Sequence, residues 1–411
     1  MSYAIIWPTI WPYIGTFSVE KWQKDVLYGT TYIAYPIASM VSAFLIMKCA
    51  PHGFSFRLVL FILNSFEILG NLIYALPFHP VMPLLGRFIA GFGDVFYLLL
   101  AKEIAVAFVE REAEIITMQC LSSFVVGVVF APCLSLATGT VNTSWNEWPI
   151  NLYTMPGISM AALFLLMQFV VLIFLKDLVA PYERCTRSTS DFGEGDLPVS
   201  KLSKASRNSE SSVSVDRSCS SMYSIFVLTF AFIYGFSVGT FELILPIVYW
   251  EKYPGQFLGV GAVYAFLATL YAIFLIVTVI TSVRCKPKII VPVAILVSVI
   301  GQGATLYMKH GEWGGSVLAT EVLISLSLAV LWAIDDVLFI DIVTFMVPHN
   351  VQDETHKWRR AVSKIAFAAS GIIVPLAYNK LGIIAPTFIV ANVLVYIFFL
   401  VAGYQITGAI F

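Results

Sequence analysis

Charged residues are scarce in this sequence of 411 residues. Lysine, arginine, aspartate and glutamate make up 12% of it, against about 25% in soluble globular domains. The net charge is −1, so there is no basic surface for nucleic acid and we expect no such partner. Hydrophobic residues make up 59% and the mean hydropathy is +0.86. A soluble chain could not cover so much apolar surface, which predicts an all-α integral membrane protein within a lipid bilayer.

The sequence motifs of enzymes and cofactor sites are also absent. There is no glycine-rich phosphate loop, no set of closely spaced metal ligands and no nucleophile beside a base. The five histidines lie in predicted loops or at span ends, which disfavours a proton relay of imidazole groups. None of the six cysteines lies in a predicted non-cytosolic loop, so we expect no disulfide framework. We expect no enzyme activity, no cofactor and no bound metal.

Long apolar segments are what the sequence does contain. A membrane-spanning helix needs about 20 residues, and twelve segments are read as such helices. The first is short, and we interpret it as a truncated helix in which the sequence begins. The segments are 1–17, 25–47, 58–77, 81–108, 115–137, 151–175, 223–249, 258–282, 289–308, 315–346, 361–379 and 383–410.

A serine-rich stretch, 177–222, separates the sixth segment from the seventh. It is poor in large aliphatic residues and cannot bury enough apolar area to fold, which predicts a disordered linker. The chain is therefore divided into an N-terminal six-helix half (1–176), the linker (177–222) and a C-terminal six-helix half (223–411). The linker could also bind cytosolic partners.

Basic residues predict the orientation. The loops on the linker side carry 17 lysines and arginines and the opposite loops carry 5, which makes the linker side and both termini cytosolic. The single N-glycosylation sequon, Asn142-Thr143-Ser144, falls on the opposite side, where a glycan could be added. Four tryptophans on that side form an interfacial belt: Trp145, Trp148, Trp250 and Trp313.

Two unlike charges, Arg87 and Asp94, lie inside the fourth segment. Hydrocarbon makes such residues costly, so they normally face the protein interior or a wet cavity and are paired. Seven residues are nearly two helical turns, which predicts that both lie on one face about 10 Å apart. They either line a solute route or only lock neighbouring helices.

The third segment carries Asn64, Glu67 and Asn71 at helical spacing, which makes one polar stripe. Glu67 and Arg87 lie at similar depth on consecutive antiparallel helices and could pair. We expect this pairing to be structural.

Glu242 lies four residues before Pro246 in the seventh segment. A proline leaves the carbonyl one turn earlier without its helical partner, and broken helices beside a polar group often mark transporter cavities. Trp250 is only eight residues further on, so a carboxylate reaching the membrane surface is an equal alternative.

The tenth segment is the most acidic and contains Glu321, Asp335, Asp336 and Asp341. Asp335 and Asp336 point about 100° apart, so at least one should face the interior. Two carboxylates this close in low dielectric cannot both ionise cheaply, which would suit proton coupling. Asp341 is expected at the cytosolic headgroups.

The run Arg87-x-x-x-Gly91-x-Gly93 resembles the fourth-helix signature of the major facilitator superfamily. Further matches to its lysosomal group, that of major facilitator domain-containing protein 8, are Ile10–Tyr13, Ile150–Pro156 and Phe241-Glu242. The usual loop signature between helices two and three is replaced by Met47–Gly53, and Asp94 stands where a small or uncharged residue is usual. The resemblance implies a twelve-helix transporter fold, an endosomal or lysosomal membrane and movement of a small solute or anion.

Three functions remain open from the sequence. The leading hypothesis is a secondary transporter of a small solute, anionic and proton-coupled, with Arg87, Glu67, Asp94, Glu242, Asp335 and Asp336 as candidate substrate or coupling residues. A passive anion channel on the same fold is the second. A membrane scaffold or sensor that transports nothing is the third.

Overall fold

The computed structural model of the chain describes residues 5–49, 55–96, 99–100, 141–145, 148–174, 217–252 and 349–377, together with isolated positions between 127 and 138 and between 262 and 327. Helices dominate these parts of the chain. They are α1 (Ile10–Gly15), α2 (Lys21–Cys49), α3 (Phe56–Tyr74), α4 (Met82–Gly91), α5 (Met155–Phe174), α6 (Arg217–Lys252) and α7 (His349–Ala377). A short 3₁₀ helix, Phe92–Val95, continues α4.

Four of these helices contain a stretch long and apolar enough to cross a bilayer: Lys21–Ile46, Phe56–Tyr74, Met155–Phe174 and Val227–Ile247. A shorter apolar stretch, Ala361–Leu376, lies in α7. Large apolar side chains such as Phe174 and Ile173 are exposed on α5, as expected of a helix that faces acyl chains. The chain is an integral membrane protein. The count of twelve spans remains a prediction.

Two helices begin six or more residues before their predicted apolar segments. α6 begins at Arg217, so the last six residues assigned to the disordered linker, 217–222, are helical. α7 begins at His349, twelve residues before the predicted span. Hydropathy marks only the part of a helix that fits the hydrocarbon, whereas an established helix extends cheaply into polar sequence. The other linker residues lie outside the described parts of the chain, and the division into two halves remains a prediction.

A small β-hairpin precedes α5, although the sequence predicts only helices. Strands β1 (Thr143–Trp145) and β2 (Trp148–Ile150) pair antiparallel, with Trp145 opposite Trp148. The indole N–H of Trp148 donates to the carbonyl of Ala75 at 2.8 Å, which fixes the hairpin to the end of α3. Asn142 lies exposed immediately before β1.

Glycines set how closely the helices of the N-terminal half approach. A Cβ on Gly70 of α3 would overlap the backbone of Ala90 in α4, and a Cβ on Gly86 would overlap the backbone of Tyr74 in α3. Small residues at such crossings let two helix backbones meet without intervening side chains. α3 and α4 therefore form a rigid pair against which α2 packs.

Candidate functional site

Arg87 is the largest fully buried side chain among the described residues, and only 1% of it is exposed. Its guanidinium carbon lies 4.2 Å from the centre of the Tyr35 ring on α2. A guanidinium over a ring face is attracted by the ring's quadrupole, more strongly where water is excluded. The arginine predicted inside the fourth segment is therefore held in the interior beneath an aromatic ring.

The hydroxyl of Tyr35 connects two carboxylates on neighbouring helices. It lies 2.8 Å from Oε1 of Glu67 on α3 and 3.0 Å from Oδ1 of Asp94 in the 3₁₀ helix. A phenol has one proton, so it donates to one oxygen at a time or shares the proton between both. Arg87, Glu67, Asp94 and Tyr35 thus form one polar cluster within the N-terminal half.

Additional polar groups fix each carboxylate of this cluster. The side-chain amide of Asn71 donates to Oε2 of Glu67 at 3.1 Å and to the Glu67 carbonyl at 2.8 Å. The hydroxyl of Ser39 donates to Oδ2 of Asp94 at 2.8 Å. Asn64, the third member of the predicted stripe on α3, is also buried. Hydrogen bonds of this kind offset the cost of burying charge.

Asp94 differs from Arg87 in environment. The two were expected on one face of a continuous α-helix, yet α4 ends at Gly91 and Asp94 lies in the 3₁₀ helix. The tighter winding of a 3₁₀ helix changes the direction of its side chains. Asp94 is consequently exposed whereas Arg87 is buried.

The two glycines of the fourth-helix motif make this cluster geometrically feasible. A Cβ on Gly91 would overlap the backbone carbonyl of Tyr35, and a Cβ on Gly93 would overlap Cγ of Glu67. The absence of these side chains lets the end of α4 contact both α2 and α3. The motif therefore serves close packing around Tyr35 and Glu67.

Glu242 lies at a contact between the two predicted halves. Its Oε2 accepts a hydrogen bond from the hydroxyl of Tyr32 at 2.6 Å, and the next residue's carbonyl, that of Leu243, accepts one from Tyr28 at 3.0 Å. Only 4% of Glu242 is exposed. This burial excludes the alternative in which the carboxylate reaches the membrane surface.

Three further contacts join the same parts of the two halves. The rings of Tyr32 and Phe367 stack with centroids 6.0 Å apart. A Cβ on Gly29 of α2 would overlap the carbonyl oxygen of Gly371 of α7, so the two backbones meet directly. The indole N–H of Trp250 donates to the carbonyl of Pro8 at 2.9 Å.

The charged residues of the sequence did not predict the tyrosines at both sites. The sequence does contain a pattern that indicates them. Hydroxyl-bearing residues recur along α2 at spacings of four, three and four, namely Tyr28, Tyr32, Tyr35 and Ser39. Such spacing aligns hydroxyl groups on one face of a helix. This hydroxyl stripe contacts Glu242 at one end and Asp94 at the other.

Asp335 and Asp336, with Glu321 and Asp341, lie outside the described residues, so their proposed proximity stays a prediction. Among the residues that the structure does describe, no three histidine, cysteine or acidic side chains are grouped as metal ligands would be. The described site can hold buried charge and exchange hydrogen bonds between helices.

No protein-family profile matches this sequence, and no curated protein matches it. Its fold, in contrast, is similar to solved structures over nearly the whole chain. A D-xylose-proton symporter superposes with a TM-score of 0.73 at 14% identity, covering 97% of this chain and 93% of the symporter. The nucleoside transporter NupG gives 0.68 at 15% identity, covering 97% and 96%. The human organic anion transporter MFSD10 gives 0.57 at 15% identity, covering 96% and 95%.

These solved structures share one architecture, and identities this low establish the fold alone. The fold agrees with the helical spans and with the glycine-rich fourth-helix motif seen in the sequence. The chain has the fold of the major facilitator superfamily.

Proposed function

We propose that this protein is a secondary transporter that moves a small solute across a membrane by exposing a central site to one side and then to the other. The observation that carries the proposal is the buried polar cluster of Arg87, Glu67 and Tyr35 inside a major facilitator fold. Charged groups inside a membrane protein are costly and are usually retained for a solute or ion pathway.

The solute is proposed to be anionic, with Arg87 as the group that attracts it. In the described conformation the Tyr35 ring covers the guanidinium at 4.2 Å, so an anion reaches Arg87 only after this ring moves. Glu67 would hold Arg87 in place between solute molecules, and Asp94, bound by Ser39 and Tyr35, would exchange partners when the ring moves.

Coupling to protons is proposed for Glu242, Asp335 and Asp336. Glu242 supports this role because it is a buried carboxylate whose hydrogen-bond donor, Tyr32, belongs to the other half. A change in its charge would change a contact between the halves. The two adjacent aspartates remain candidates on sequence grounds alone.

An endosomal or lysosomal membrane is proposed as the location, from the resemblance of the sequence motifs to the lysosomal group. The cytosolic side is proposed to be that of the linker, from the excess of basic residues. Colocalisation of a tagged full-length chain with endosomal and lysosomal markers tests the first statement, and protease protection of the tag in intact organelles tests the second.

The experiment that tests the function is uptake into vesicles reconstituted with the full chain, using a panel of small organic anions, sugars and nucleosides at two lumenal pH values. A carrier should show saturable uptake that is accelerated by the same solute on the opposite side. A passive channel should instead show current with a reversal potential set by the anion gradient. An Asp335→Asn variant compared at both pH values tests proton coupling, and absence of flux for every solute would favour a scaffold.

A further inference from the structure

Among the described residues, the side-chain contacts between the two halves named above lie toward one end of the helices. Gly29 and Tyr32 belong to the first half of α2, while Glu242 and Trp250 belong to the last third of α6. The linker precedes α6, so the end of α6 is the end away from the linker. We call this the outer end.

Two tyrosine hydroxyls supply hydrogen bonds across this boundary. We propose that Tyr28 and Tyr32 are positioning residues that keep the solute route closed at the outer end by holding α6 against α2. This inference rests on the proposed transport function. Opening of the outer end would be the step at which solute enters or leaves on that side. We refer to Tyr28, Tyr32, Glu242 and Leu243 as the outer latch.

The two bonds of the outer latch differ in strength. Tyr32 donates to a carboxylate at 2.6 Å, whereas Tyr28 donates to the neutral carbonyl of Leu243 at 3.0 Å. A hydrogen bond to a charged acceptor is roughly twice as strong as one between neutral groups. When the halves separate, water can donate to the Glu242 carboxylate and to the Leu243 carbonyl in place of the two tyrosine hydroxyls. The closed state is therefore stabilised by both bonds, yet it can open reversibly.

The backbone at these contacts is weakened by prolines. Pro36, Pro246 and Pro375 lie inside α2, α6 and α7. Each proline follows a contact residue by four positions: Tyr32, Glu242 and Gly371.

A helix proline removes the bond to the carbonyl four residues earlier and bends the helix there. All three helices therefore lack a backbone hydrogen bond at the level where the halves meet. The helices can adjust locally at this level when the latch opens.

Helices α2 and α7 lie beside the latch and carry charged and titratable groups of their own. On α2 they are the hydroxyls of Tyr28 and Tyr32, with Asp25 two turns before Tyr32 on the same face. Lys24 lies over the ring of Trp11, which in turn contacts Tyr28.

On α7 the residue that contacts Tyr32 is the uncharged Phe367. The basic residue Arg359 lies nearer the other end of that helix. Lys364 lies about one turn before Phe367 and is exposed. Tyr32 donates a hydrogen bond to the Glu242 carboxylate, and removal of its hydroxyl is the direct perturbation of the latch.

The test is a distance measurement between spin labels at the outer end, at positions 22 and 376. Trp22 on α2 and Leu376 on α7 are both exposed. The labels are introduced by Trp22→Cys and Leu376→Cys in the full chain, with the six native cysteines replaced. The unaltered latch should give mainly the short distance.

Tyr32→Phe keeps the ring stacked on Phe367 and removes only the hydroxyl. It should raise the ratio of open to closed molecules roughly tenfold, and Tyr28→Phe roughly fivefold, as expected for a charged and a neutral acceptor. Glu242→Gln keeps an acceptor oxygen and should shift the ratio less than Tyr32→Phe. Gly29→Ala, which forces α2 from α7 without touching a hydroxyl, should also open the outer end.

Thr30→Val is the matched control, because it removes a hydroxyl on the same helix that donates to the carbonyls of Val26 and Leu27 in that helix. Its distance distribution should equal that of the unaltered latch. An unchanged distribution in both Tyr32→Phe and Tyr28→Phe overturns the inference, as does an equal shift in Thr30→Val. If the latch variants change the label distances while no solute is transported, the latch is supported and the transport function is contradicted. If solute is transported and the latch variants leave the label distances unchanged, the transport function is supported and the latch is contradicted.

Discussion

The ring of Tyr35 lies over the guanidinium of Arg87: the guanidinium carbon lies 4.2 Å from the ring centre, and the hydroxyl of the same ring lies 2.8 Å from Oε1 of Glu67. One side chain thus contacts a buried cation with its face and two carboxylates with its edge. In the proposed transport function, the position of the Tyr35 ring decides whether Arg87 can meet a solute.

Tyr35→Phe is predicted to destabilise the protein by about 1–3 kcal/mol, because a buried carboxylate loses a hydrogen-bond donor. The ring would still cover Arg87. Thermal unfolding of the purified protein in detergent measures the effect. Ser39→Ala, which removes a donor to the exposed Asp94, is the control and should cost less; an equal cost would contradict the importance of burial at Tyr35.

Gly93→Ala is predicted to destabilise the protein by about 1–3 kcal/mol, the usual cost of overpacking. The added methyl group would overlap Cγ of Glu67 and would lie 2.7 Å from the carbonyl oxygen of Leu63. Gly15→Ala is the matched control, because its Cβ would meet only the flexible end of the Lys24 side chain. Unfolding midpoints of the two variants should differ, and equal midpoints would remove the packing explanation of the glycine motif.

Pro246→Ala is predicted to slow transport without loss of stability. The substitution restores an N–H donor for the Glu242 carbonyl and stiffens α6 where the halves meet. Solute turnover and the unfolding midpoint are measured on the same preparation. Pro83→Ala is the control, because Pro83 lies in the first turn of α4, where an N–H would lack a helical partner in any case. Faster turnover in Pro246→Ala would contradict the proposed role of the bend.

Asn142→Gln is predicted to abolish a glycan on the non-cytosolic side. Asn142, Thr143 and Ser144 are all exposed beside the hairpin that precedes α5, so the sequon is accessible to the modifying enzyme. The protein expressed in eukaryotic cells should lose apparent mass on glycosidase treatment, and the variant should not. A protein without glycan in such cells would remove one of the three supports for the orientation.

The span-length helices that the structure describes could be predicted from the sequence, because bilayer thickness fixes their length. The first residues of α6 and α7 could not be predicted, because both helices begin in polar sequence that hydropathy does not mark as part of a span. The 3₁₀ helix at Phe92–Val95 was also missed. It depends on the contacts of Gly91 and Gly93 with α2 and α3, which are tertiary and leave no periodic signal.

The charged residues of the site could be predicted from the sequence, whereas their tyrosine partners could not. Charges such as Arg87 and Glu242 are conspicuous in an apolar segment, whereas the tyrosines that bind them are common membrane residues. The spacing of Tyr28, Tyr32 and Tyr35 showed a shared face, but sequence alone did not show that this face contacts Glu242 more than 200 positions away. The partner of a buried charge depends on which helices are neighbours, and that is a property of the fold.

We propose that the buried charge of the N-terminal half serves solute movement. Flux into reconstituted vesicles is measured for the unaltered protein, Arg87→Lys and Arg87→Ala, with equal amounts of monodisperse protein in each. Arg87→Ala should abolish flux, and Arg87→Lys, which keeps the charge, should retain part of it. Unchanged flux in Arg87→Ala would show that Arg87 has no part in solute movement.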